Sequence, residues 1–209
     1  MAKLVCLANS RKNANRCIAG LTDDGVWIRP VSTLSDGGIT RSMRQVDGQE
    51  PELLDVLSIP LAKTGPDFGH QPENRSVAKG LWTRMGKLKS SQVIKLCEKR
   101  NVLLHTDSDR VSVQMITALA PADRYSLQLI QVPDAEFYRT TSIRGKRQYR
   151  AHFTYSGDRY DIVVTDPVAE AKLGKDEKLS STCILTVSMG GPYDGNYFKF
   201  IAAVIELGD

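Results

Sequence analysis

The chain has 209 residues, of which 41% are hydrophobic and 25% charged, with a formal net charge of +4. This composition excludes a disordered or fibrous protein, and the length buries a sizeable core as one large or two small domains. No apolar run reaches the ~20 residues that span a bilayer and no signal-peptide pattern opens the chain, so a cytoplasmic protein without a membrane partner is expected.

The four cysteines (Cys6, Cys17, Cys97 and Cys183) are scattered, with no C-x-x-C and no histidine nearby. That spacing argues against a zinc site or a disulfide framework, so buried reduced thiols are expected, and no metal or cofactor. The mild positive charge permits a polyanionic partner without requiring one, which makes the placement of the cations the useful observable.

In chain order, the apolar runs Leu4–Ala8, Cys17–Leu21 and Val26–Val31 predict three strands. A polar loop with Arg11, Lys12 and Arg16 separates the first two, and an Asp23-Asp24-Gly25 turn precedes the third. This is the opening of a small β-barrel with positive charge at one rim. Trp27 beside Arg29 fits two roles: a base-stacking ring with a phosphate contact, or a core ring with a paired cation. Pro30 marks an edge or an end, since it cannot donate to a ladder.

Residues 32–52 read as a Gly-containing polar stretch with a short helical segment around Arg41 and Arg44, and Leu53–Leu61 as the next strand. The loop Thr64–Arg75 carries His70, Gln71, Glu73 and Asn74. Those side chains suit reading the edge of a base, and equally suit a well-capped surface loop. His70 near Glu73 is the closest approach to an acid–base pair, and no catalytic signature stands out.

From Trp82 to Arg100 the pattern takes a helical period, with Ser90 or Ser91 as cap, an apolar stripe of Val93, Ile94, Leu96 and Cys97, and a lysine-rich solvated face. Asp107–Leu119 fits a strand or a short helix, and a helix is expected. Pro121-Ala122-Asp123 divides the chain into residues 1–120 and 121–209.

The second half is more plainly β. Strands are predicted at Tyr125–Val132, Glu136–Thr141, Arg147–Tyr155, Arg159–Thr165, Thr182–Met189 and Tyr197–Leu207, with a hairpin turn at Ser156-Gly157-Asp158. Asp166-Pro167 predicts an N-cap and first helical residue. Between Arg139 and Arg159 stand six Lys/Arg residues and one acid, Asp158, interleaved with aromatics. Cations that track phosphates beside rings that stack on bases are what a single-stranded nucleic-acid surface needs. The alternation of Tyr149, Ala151, Phe153 and Tyr155 fits a core face equally well.

The segments ANSRK, RCIAG and WIRPVS, LLDVLSIPL followed by HQPEN, and later YDIVVTDP and LTVSMGGPYDGNYFKFIAAVI resemble the dual OB-fold domain family of prokaryotes over essentially the whole chain. The resemblance implies a mainly β fold with short helices, built as two OB-like barrels packed side by side. It also implies a binding role through a sheet face and rim loops. Members linked to defence or mobile-element systems fit a nucleic-acid or nucleotide ligand. No catalytic residue set comes with the family.

The leading expectation is therefore a non-catalytic module binding single-stranded DNA or RNA. Arg11, Lys12, Arg16 and Arg29 would serve the first barrel, Arg144, Lys146, Arg147 and Arg150 the second, with Trp27 or Tyr149 stacking on bases. A second reading is a nucleotide or modified-base sensor or enzyme, with Asn9, Arg29, His70, Gln71 and Asn74 around one pocket. A third is a protein–protein adaptor in a multi-component system.

Overall fold

A computed structural model describes residues 1–142 and 145–207. The first sheet contains β1 (Ala2–Lys12), β2 (Asn15–Leu21), β3 (Trp27–Val31), β4 (Asp55–Ile59), β5 (Asn74–Ser76) and β6 (Thr83–Lys87), in the order β5-β3-β2-β1-β4-β6. All neighbours are antiparallel except β3 and β5, which run parallel. After a single helical turn, α1 (Ser90–Val93), come β7 (Arg110–Ser112) and α2 (Val113–Ala118). The second sheet then adds β8 (Leu127–Val132), β9 (Glu136–Thr141), β10 (Arg147–Tyr155), β11 (Asp158–Val164), β12 (Cys183–Tyr193) and β13 (Asn196–Glu206). Its order is β8-β12-β13-β11-β10-β9, with β7 pairing β13 and α3 (Pro167–Gly174) between β11 and β12. The chain is mainly β, two OB-like sheet units with short helices.

Each sheet closes on its own core. Leu4, Cys6, Ile18, Ile39, Leu57 and Trp82 fill the first; Leu103, Val111, Ile130, Phe153, Ile162 and Leu185 are among those filling the second. Two further clusters join the units. Val5, Leu7 and Leu21 pack on Leu129, Ile184 and Ile205, and Ala8 and Ala19 pack on Leu127 and Ala202. This is why β1 is apolar on both faces: one face lines its own barrel and the other meets the partner sheet. Thr186 donates its hydroxyl to the Leu7 carbonyl across that contact (2.5 Å).

Several sequence expectations change. The helical stretch at Trp82–Arg100 is instead β6, then α1 and one 3-10 turn at Ile94–Leu96. Gly86, with φ of 156°, lies at a register shift opposite Val56–Leu57, and pairing with β4 outweighs the local helical period. Asp107–Leu119 divides between the two readings, as strand β7 followed directly by α2. At Asp166 the expected cap forms: Oδ1 accepts from the Val168 and Ala169 amides, at 2.9 and 3.3 Å, with Pro167 first in α3. All four cysteines are free thiols. Among the described residues no helix is long and apolar enough to cross a membrane.

Candidate nucleic-acid interface

The first basic rim is the β1–β2 hairpin, whose turn places Asn13 at φ 51°. The ladder sets Arg11 opposite Arg16 and Lys12 opposite Asn15. Carboxylates from elsewhere in the chain offset this like-charge pairing, Glu170 at Arg11 and, for Arg16, Glu50, which it shares with Arg41 and Arg44. Arg11 makes a fork to Glu170 of α3, at 2.6 and 2.8 Å, and its amide donates to the Thr165 carbonyl at 2.8 Å. Arg16 lies 3.8 Å from Glu50, whose carboxyl is held below the usual range chiefly by a hydrogen bond from Arg44. Lys12 makes no ion pair among the described residues.

Trp27 and Arg29 take the structural alternative. Trp27 is half-buried between the sheets and donates Nε1 to Glu98 at 3.0 Å. Arg29 is 1% exposed and reaches Glu73 at 3.8 Å, Asn74 Oδ1 at 3.4 Å and Ser188 Oγ at 3.2 Å. Glu73 Oε1 in turn accepts from the Ser126 amide at 3.0 Å and hydroxyl at 2.6 Å. Asn74 donates to Gln71 at 3.1 Å, and Gln71 donates to the Met189 carbonyl at 3.3 Å.

The 70–74 loop is thus a buried polar seam that ties the first sheet to β8 and β12. Four of the five residues expected around a pocket converge there, bonded largely to one another or to the neighbouring sheet. Asn9 does not join them; it donates to Pro51 at 2.7 Å. His70 stacks on Tyr197 with ring centroids 4.1 Å apart, and burial pushes its pKa down. His70 and Gln71 also line a cleft of ≈ 330 Å³ together with Lys12, Phe68, Pro192 and the Asp36 carboxylate.

On the second rim, β10 resolves the two-way reading of its alternation. Tyr149, Ala151 and Phe153 face the core, so Tyr149 has no free ring face for a base. On the opposite face Arg150 binds Asp161 at 2.8 Å, which also accepts from Tyr138 at 2.8 Å. Arg150 and its neighbours lower the Asp161 pKa against the opposing effect of burial. Lys146 and Arg147 are exposed and free of ion pairs among the described residues. Arg147 shares a ≈ 400 Å³ cavity with Arg139, Thr140 and Thr141, and among the described residues no carboxylate lines it. Arg144 lies outside the described residues.

Arg139 belongs to the basic window of the sequence but not to the residues expected at the interface. The register that sets it opposite Tyr149 places it on the hairpin beside Arg147, and the two line the same cavity. The two rims lie toward the same end of β11. Arg11 bonds to Thr165, just past that strand, and the antiparallel register carries β10 from Arg150, opposite Val163, out to Arg147.

Two solved structures show low similarity to the chain. One, described as "Crystal structure of the tetrameric p202 HIN2", is 5% identical with a TM-score of 0.33, covering 99% of this chain and 92% of that one. The other, described as "Molecular basis for abrogation of activation of pro-inflammatory cytokines", is 10% identical with a TM-score of 0.34, covering 95% and 86%. Among curated protein sequences none matches. A family model described as "Dual OB-containing domain" matches residues 2–204, in accord with the two sheet units, and the chain belongs to that family.

Proposed function

We propose that the chain is a non-catalytic module that binds nucleic acid, preferring single strands, with the β9–β10 hairpin as its main contact. The observation that carries this reading is the cavity of Arg139 and Arg147, free of any lining carboxylate among the described residues, with exposed Lys146 alongside. Arg11, Arg16, Arg29 and Arg150 already have internal carboxylate partners, so they stand outside the interface, and Lys12 remains from the first rim. The division between units falls, on this reading, before Leu103 rather than at 120, because Leu103, Leu104, Val111 and Ile116 pack in the second core.

The four free cations alone contribute roughly −3 to the slope of log K against log salt on a single strand. Anisotropy titrations of labelled dT20 and rU20 measure it. The variant pair Lys146→Glu and Arg147→Glu should weaken binding at least tenfold. Wild-type protein with no salt-sensitive binding to either strand would refute the reading.

The cleft behind Lys12 supports a second reading, a mononucleotide site, because Phe68 is 40% exposed and offers a ring face there. Calorimetry with the common nucleoside monophosphates tests it, and absence of heat at millimolar ligand rejects it.

A further inference from the structure

The connector between the two units forms a second basic groove. Its volume is ≈ 810 Å³, and Lys95, Lys99, Arg100, Asn101, Gln131 and Tyr155 are among the residues that line it. The sequence pattern assigns these lysines to the solvated face of a long helix, but the segment is only one α turn and one 3-10 turn, followed by extended chain.

That extended chain is fixed to the second unit. The Arg100 amide donates to the Tyr155 hydroxyl at 2.9 Å, Tyr155 donates to the Glu98 carbonyl at 3.1 Å, and Ser156 donates to the Arg100 carbonyl at 2.9 Å. The Glu98 amide donates to the Leu129 carbonyl at 2.8 Å. Lys99 and Arg100 therefore project from a clamped backbone, which lowers the ordering cost of binding, while Lys95 projects from the preceding 3-10 turn.

The charge balance favours an anion. Glu98 is the groove's one lining acid among the described residues, and it is occupied: Oε2 accepts from Arg100 at 2.8 Å and Oε1 from Trp27 at 3.0 Å. The Arg100 guanidinium is further held 4.0 Å over the Tyr125 ring. Lys95 and Lys99 are exposed and make no ion pair among the described residues. Asn101 and Gln131 add neutral donors and acceptors.

We propose that this groove is a second phosphodiester-binding site, taking a few nucleotides of the same single strand that engages the β9–β10 hairpin; it thus rests on the function proposed above. The two sites lie at opposite ends of β10, Arg147 at one and Tyr155 at the other. At ~3.3 Å per residue that strand spans at most about 26 Å. A stacked strand rising ~3.4 Å per nucleotide covers the span in about eight nucleotides, so dT20 reaches both sites.

The test is dT20 anisotropy across a salt series with the full chain carrying Lys95→Gln and Lys99→Gln. A matched control carries Lys63→Gln and Lys79→Gln, two exposed lysines outside both sites. The groove variant should bind several-fold more weakly, with a slope shallower by roughly 1.4, about 0.7 for each phosphate no longer neutralised, while the control keeps the wild-type slope.

An unchanged slope in the groove variant, or an equal change in the control, overturns the groove and leaves the hairpin reading standing. Loss in the groove variant with no effect of Lys146→Glu and Arg147→Glu supports the groove and removes the hairpin. Wild-type protein that does not bind dT20 removes both.

Discussion

Replacing Arg29 by Met should cost about 3–5 kcal/mol of folding stability, the usual penalty for removing one partner of a buried ion pair. The figure follows from burial: the Arg29 and Glu73 side chains are 1% and 6% exposed. Losing the guanidinium leaves a carboxylate whose remaining donors are the amide and hydroxyl of Ser126. It also removes donors from Asn74 and Ser188, and so loosens the seam on which the two sheets dock.

A second change separates charge from packing. Glu73→Gln keeps a carbonyl oxygen for Ser126 and removes the charge, so Arg29→Met with Glu73→Gln should recover much of the loss. Urea unfolding followed by the fluorescence of Trp27 and Trp82 measures both variants, provided that the m-value is unchanged. A single variant costing under 1 kcal/mol, or a double variant no more stable than Arg29→Met, would refute the idea that a desolvated charge pair holds the seam.

Other outcomes follow from single sites. Lys199 is 2% exposed, and its ammonium donates to the Leu103 and Thr106 carbonyls at 2.6 and 2.7 Å and to the Thr106 hydroxyl at 3.0 Å. Burial lowers its pKa from 10.5 to about 7. In that window the unfolded chain holds the proton more tightly, so the Lys199 contribution to stability rises with pH, by at most ~1.4 kcal/mol per pH unit. The wild-type minus Lys199→Met difference in urea midpoints should show that rise, and a flat difference contradicts it. Asp166→Ala should cost ~2–3 kcal/mol, because it removes the cap of α3 and strips Oδ2 from the buried Val204 amide. Burial raises the Asp166 pKa, so the folded state favours the protonated acid and its contribution falls as pH rises above the ordinary aspartate range. Gly20→Ala sets a Cβ 1.9 Å from the Val5 carbonyl oxygen within the β1–β2 ladder and should unfold the first unit, whereas Gly25→Ala meets no atom within 4 Å and should cost ~1 kcal/mol for its φ of 79°. Circular dichroism melts of the two variants compare them directly.

The strand pattern of the second half was legible because it is local. The turn at Ser156-Gly157 and the Asp166-Pro167 cap are chemistry between near neighbours, and the ladder and helix formed around them. The connector misleads for the same reason. Its apolar spacing has a helical period, but Gly86 and the β4 edge recruit residues 83–87 into a strand, a choice made by a partner about thirty residues away.

The candidate site was harder to read, because whether a cation is free to meet a phosphate depends on carboxylates far away in sequence. Arg11 is neutralised by Glu170, 159 residues on, and Arg29 by Glu73 across a parallel pairing of β3 with β5. Neither acid lies within the basic loops themselves. The same logic turns β10 around: alternation divides its side chains into two faces, and only the docking of β8, β12 and β13 decides that Tyr149 points inward while Arg150 meets Asp161 outside. A net count of basic residues therefore overstates an interface wherever acids come from another strand. The cations to trust are those that remain unpaired after both sheets have assembled. By that criterion Lys12, Arg139, Lys146 and Arg147, with Lys95 and Lys99 at the connector, outrank the arginines of β1–β3, and charge removal at the two groups should separate their contributions to the salt slope.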